Sequence, residues 1–176
     1  YASATDTWGS VLQATSVTDD AVSGSIGGTN YVVFSELGSY YYSSDGTAFT
    51  KVTSPSGYPS LLVIWDDKLF WLSGTSPRQL WYITAIGGTP VSAGIVPSDG
   101  TQEVVELIVG RDTEGSEIIY AVTSSGLYAY DFANSRFVKT AVSVPNKSSS
   151  TYISAAVAGR WRESLYFSAE TSLLKY

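Results

Sequence analysis

The sequence predicts an all-β chain of about four repeated units, each of four antiparallel strands. Three observations carry this. Short apolar runs rich in Val, Ile, Tyr, Phe and Trp recur along the 176 residues, separated by clusters of Gly, Ser, Asp, Asn and Pro. Helical periodicity is absent beyond two turns, and the best helix candidate, 102–109, is so rich in Val and Ile that it reads better as a strand. The runs also superimpose: Val32–Tyr42 lies without gaps on Leu165–Lys175.

The units follow in order. The first spans 21–53, with apolar runs at 21–26, 32–37, 40–42 and 48–52. The second spans 58–96, with Leu61–Trp65, Leu69–Ser73, Leu80–Ile83 and Thr89–Ile95. The third spans 103–143, with Val104–Val109, a run from Ile119, Leu127–Tyr130 and Phe137–Val142. The fourth spans 152–176 and begins with the small residues of Ile153–Ala158, which suit a crowded inner strand. It lacks a fourth run, and Trp8–Ser16 is the candidate to close it. Val33, Phe70, Tyr120 and Tyr166 hold equivalent places, at spacings of 37, 50 and 46 residues.

Four antiparallel strands per roughly 44 residues is the plan of a β-propeller blade. Lys68–Gly74 followed by Gln79–Ile83 resembles the second and third strands of YWTD or NHL-type propellers, with Ser73 where those carry Asp. Tyr42–Phe49 resembles the Asp-box turn of sialidase-like propellers, and Tyr130–Phe137 is a looser echo. The resemblance implies that Asp45 caps backbone N–H groups while an aromatic packs under the turn, which is a folding device. The expectation is a propeller of about four blades, closed on itself or part of a larger ring. The alternative is a β-sandwich. Unpaired edges in an open ring favour closure.

Composition removes much chemistry. The chain has no Cys, His or Met. That excludes disulfides, thiol nucleophiles, imidazole bases and the ordinary zinc, haem and iron–sulfur ligand sets, and no cofactor is implied. Ten basic residues against sixteen acidic ones, net −6, give no footprint for duplex nucleic acid. No stretch reaches 18 consecutive apolar residues, so no membrane span is expected. The chain opens on Tyr1 and ends at Tyr176 inside an apparent strand, which reads as a mature or excised segment. A quarter of the residues are Ser or Thr and thirteen are Tyr. That balance accompanies extracellular, cell-surface and virion proteins. Asn146–Ser148 would be a glycosylation acceptor in a secretory pathway.

The candidate sites are few. Trp161, between Arg160 and Arg162 in an apparent turn, and Tyr41 within the run 40–42 are the aromatic and basic residues expected to meet a partner. Trp65, Trp71, Trp81, Tyr41, Tyr128 and Tyr166 are residues that would stack on sugar rings in a lectin, or pack between blades. Asp66 and Asp67 are weak Ca²⁺ candidates that equally suit a two-residue turn, and Asp19–Asp20 is similar. Glu103, Glu106, Asp112, Glu114 and Glu117 form an acidic concentration, and a carboxylate pair there would serve a glycosidase. A sialidase would also need an Arg cluster, and the five Arg do not recur at matching places. No Gly pair sits in a phosphate-cradling context. The expected role is a non-enzymatic binding or structural module of a secreted, cell-surface or virion (phage tail-like) protein, partnered by protein or glycan, alone, as an oligomer or within a larger assembly. A propeller lectin and a sialidase-like glycoside hydrolase are the alternatives.

Overall fold

In a computed structural model the protein is all-β, with no helix among the described residues. These are 20–36, 38–53, 59–73, 78–96, 104–123, 126–141, 158–161, 164–169 and 172–175. The strands are β1 Asp20–Ile26, β2 Thr29–Glu36, β3 Ser39–Ser43, β4 Thr50–Thr53, β5 Pro59–Trp65, β6 Lys68–Ser73, β7 Gln79–Ile83, β8 Val91–Ile95, β9 Val104–Arg111, β10 Glu117–Thr123, β11 Gly126–Asp131, β12 Arg136–Lys139, β13 Ala158–Trp161, β14 Ser164–Ala169 and β15 Ser172–Lys175. They form three four-stranded antiparallel meanders, β1–β4, β5–β8 and β9–β12, and a three-stranded one, β13–β15. No sheet closes on itself among the described residues. The stretch 8–16 lies outside them.

Tight turns open the first two meanders. Asp66 and Asp67 both take positive φ, 49° and 58°, as the two centres of a type I′ hairpin between β5 and β6. Asp tolerates that region better than most residues. Gly27 and Gly28 do the same work between β1 and β2. Several boundaries move: β12 spans Arg136–Lys139 where the run was Phe137–Val142, and β13 is Ala158–Trp161 where the expected run was Ile153–Ala158, of which 153–157 lie outside the described residues. The outer strands β4 and β8 start two residues later than their apolar runs, at Thr50 and Val91, because the turn ahead of each takes up the intervening residues. Trp161 ends β13 opposite Ser164 and is no turn residue.

The sheets stack in chain order through their first strands: β1 packs on β5, β5 on β9, and β9 on β13 and β14, while β8 meets β12 further out. Alternation along each strand then fills two cores. Leu62, Leu69, Trp71 and Ile83 of the second sheet meet Ile26, Val33 and Tyr40 of the first. Val63, Phe70, Leu72, Leu80 and Ala93 turn the other way, onto Leu107, Ile119, Ala121, Tyr130 and Phe137 of the third. The second sheet therefore has both faces in the core. In the third sheet Tyr120 and Val122 are buried as well, although they alternate with the residues facing the second. Each large apolar side chain so buried contributes about 1.5–3 kcal/mol. Trp71 Nε1 is buried with no hydrogen-bond partner, which offsets about 1–3 kcal/mol of its packing.

Close backbone approach fixes where sheets touch. Gly94 on β8 takes φ 109°, and a Cβ there would lie 2.1 Å from the Ser135 carbonyl oxygen in the β11–β12 turn. Arg78 donates to the Val104 carbonyl at 2.9 Å, joining the second sheet to the start of β9.

Candidate functional site

Two clefts gather polar side chains from neighbouring strands. The first, of about 320 Å³, lies between the first strands of three successive sheets. Val22, Leu62, Val63, Ile64, Leu107 and Val109 make its apolar wall, and Asp20, Ser23 and Glu106 are its polar side chains. Asp20 sits at the start of β1 and reaches across to β5, where its Oδ2 accepts the Leu62 N–H at 2.6 Å. Its Oδ1 accepts the Ala21 N–H at 2.7 Å. Glu106 stands in mid-β9, opposite Val122, and accepts the N–H of Leu107 at 3.1 Å. Burial first, and then the Asp20 charge, push the Glu106 carboxyl up to about 7. Two carboxylates from different sheets thus share one cleft. No local spacing announces that, because the two residues belong to separate units.

The second cleft, of about 440 Å³, is at the turn end of the first sheet. Ser23, Val32 and Ser43 form a cross-strand row there, and Asn30, Tyr31, Ser44 and Asp45 complete the lining. Tyr31 is held edge-on to Tyr42, with ring centroids 5.7 Å apart. Asp45 is fixed too. Its Oδ1 accepts the N–H groups of Thr47 at 2.8 Å and Ala48 at 3.1 Å and the Ser43 hydroxyl at 2.8 Å. The Thr47 N–H, followed by those other donors, holds its carboxyl well below the usual carboxylate range. Phe49 closes the turn against Phe34, with centroids 5.4 Å apart.

Asp131 fills the corresponding β11–β12 turn of the third sheet. It accepts from the backbone of Ala133 and Asn134 and, at 2.7 Å, from the Asn134 amide. The Asn134 side chain is the main cause of its lowered pKa, helped by Arg136 at 3.6 Å. Asp112 caps the β9–β10 turn through Glu114 and Ser116 N–H. Four of the chain's carboxylates, Asp67 included, are thus engaged by turns and hairpins.

The other sequence candidates fall as follows. Asp66 pairs with Lys68, and Asp67 faces away from it to hold Ser25 and Gly28. Among the described residues no group of three or more His, Cys, Asp or Glu gathers as for a metal ion. Tyr41 lies on the face of the first sheet away from the second. One ring face stacks on Phe34 at 4.8 Å and the other lies under Lys51 Nζ at 5.4 Å. Trp71 and Tyr128 are buried. Trp65 stacks on Phe132 at 4.5 Å, and Phe132 is 40 % exposed. Sequence reasoning passed over Phe132, whose place inside an Asp-capped turn marks it only once the neighbouring sheet is seen. Trp81 and Ile64 flank the first core half-buried. Arg160 and Trp161 lie on β13 and Tyr166 on β14, while Arg162, Asp19, Glu103 and the Asn146–Ser148 sequon fall outside the described residues. No helix among the described residues is long and apolar enough to cross a membrane.

No protein-family model, curated protein or solved structure matches this chain.

Proposed function

We propose that the chain is a non-enzymatic binding or structural module of a secreted, cell-surface or virion protein, built as a β-propeller of about four blades. The observation that carries the architecture is the second sheet, buried on both faces and stacked through its first strand on the first strands before and after it. A two-layer sandwich leaves one face of each sheet to water. Blades leave neither. Phe34, Glu36 and Ser39, on the face of the first sheet turned from the second, are also buried. That supports a ring completed by the last sheet, with 8–16 as its fourth strand, or by further blades. Scattering in solution tests it. A closed ring of this length has a radius of gyration of about 16 Å. A markedly larger value from a monomer overturns the closed form.

The binding role follows from how the reactive groups are used. Asp45, Asp67, Asp112 and Asp131 hold backbone and hairpins, Arg78 holds a carbonyl, and Arg136 leans on Asp131. These groups serve the fold, and the exposed hydroxyl residues, Ser44 and Thr47 among them, are the groups offered for contact. A panel of fluorogenic glycosides, sialosides among them, tests the non-enzymatic part, and turnover overturns it.

The second reading is a lectin, and the cleft at the turn end of the first sheet favours it. Tyr31 offers an aromatic edge beside Asn30, Ser23, Ser44 and a carboxylate locked in its ionised form. Apolar sugar faces meet aromatic rings, and sugar hydroxyls meet amides and carboxylates. A glycan array separates the readings. Binding that Asn30→Ala removes supports the lectin, and no binding sinks it.

A further inference from the structure

The carboxylate pair in the first-strand cleft does something the binding role does not require. Asp20 cannot swing aside freely, because its Oδ2 makes the 2.6 Å bond that ties β1 to β5. Glu106 reaches the same cleft from β9, and the walls between them are aliphatic. Two negative charges there would repel each other across a cleft that is only partly screened by solvent.

We propose that the proton on Glu106 keeps the third sheet seated on the second, so that β9 is held against β5, with Asp20 of β1 across the shared cleft, when the group is neutral and is driven from Asp20 when it ionises. Among the described residues the charged groups around it are few. β5 and β14 carry none, β10 carries Glu117 at its far end opposite Arg111, and β1 carries Asp20. Arg111 ends β9 itself, Arg78 is bonded to the Val104 carbonyl, and Arg160 stands on β13. Asp20 is the one whose charge acts on Glu106, after burial.

The direction follows from linkage. The carboxyl moves from the ordinary glutamate value of 4.5 to about 7 on folding. Between those values the folded chain binds more protons than the unfolded one, so stability falls as pH rises. The contribution is fully present below the lower value and is gone above the upper one. The fold is therefore firmer in mildly acidic medium than in alkaline medium.

The test is thermal unfolding of the full chain from about pH 5 to about pH 8.5 at fixed ionic strength. Wild type is expected to lose about 5 °C of Tm across that range. Glu106→Gln keeps the group neutral and flattens the profile, with the larger gain at the alkaline end. Asp20→Asn moves the fall to lower pH. Carbon-13 NMR of the Glu106 carboxyl in the wild-type protein needs no variant to fold, and it is expected to titrate near neutrality. A flat wild-type profile, an E106Q profile as steep as wild type, or a carboxyl titrating like free glutamate overturns the proposal.

Discussion

Asp67 of the second sheet accepts the Gly28 N–H of the first at 2.8 Å, while its other carboxylate oxygen takes the Ser25 hydroxyl at 2.5 Å. The Asp67 carbonyl adds a third bond, from Gly27 N–H at 3.0 Å. One turn residue therefore binds the leading hairpin of one sheet to the leading hairpin of the next. Its neighbour Asp66, also in the turn, serves only Lys68.

That asymmetry is measurable. Asp67→Ala is expected to cost about 1–3 kcal/mol in urea unfolding, since bonds to a charged acceptor are lost. Asp66→Ala removes an exposed ion pair worth about 0–1 kcal/mol. Equal losses from the two substitutions would show that the hairpin clasp adds nothing.

Gly94 and Gly46 give a second contrast. Both have positive φ, 109° and 73°. A methyl at Gly94 meets the Ser135 carbonyl, whereas one at Gly46 meets nothing. Gly94→Ala is expected to destabilise by about 2–4 kcal/mol, as the third sheet must shift. Gly46→Ala is expected to cost about 1 kcal/mol from backbone strain alone. Denaturant midpoints of the two variants compare them directly.

The Asp-capped turns govern the acid side of the stability profile. Asp45 and Asp131 titrate below the ordinary value of 3.8 in the folded chain. Their stabilisation is complete above that value and is lost as pH falls through the lowered ones. Asp45→Asn and Asp131→Asn are expected to make the acid limb of a Tm-against-pH curve shallower. A double variant with an unchanged acid limb would place the acid sensitivity elsewhere.

Phe132 joins two sheets through one exposed ring. It stacks on Trp65 and stands edge-on to Tyr130 at 4.4 Å. Phe132→Ala is expected to cost about 1–2 kcal/mol, mostly in the aromatic pairs, and to shift Trp65 emission to longer wavelength as water reaches the indole. An unshifted spectrum would mean the stack does not shield it.

Much of the architecture was legible because it is local. Val33, Phe70 and Tyr120 repeat at equivalent places in second strands, and β2, β6 and β10 are built around them. Asp45 was legible too, since its cap spans two or three residues. The clasp of Asp67 on Gly28 and the cleft shared by Asp20 and Glu106 were not. Each joins residues of different sheets, and turn residues such as Asp66 and Asp67 look alike until the neighbouring hairpin is in place. Tyr41 was half legible. Alternation placed it opposite Tyr40 and Tyr42, but the Lys51 ammonium over its ring comes from register with β4.

The burial of both faces of the second sheet also bears on how such a chain diverges. Leu62 and Trp71 answer to the first sheet, and Val63 and Phe70 answer to the third. A substitution in any of these strands is therefore tolerated only in step with a neighbour of different shape. Units that descend from one plan would drift apart pair by pair, each refitted to the two it touches. Val33 and Phe70 show the pairing: one place in the plan, two side-chain volumes, the first packed on the second sheet and the other on the third.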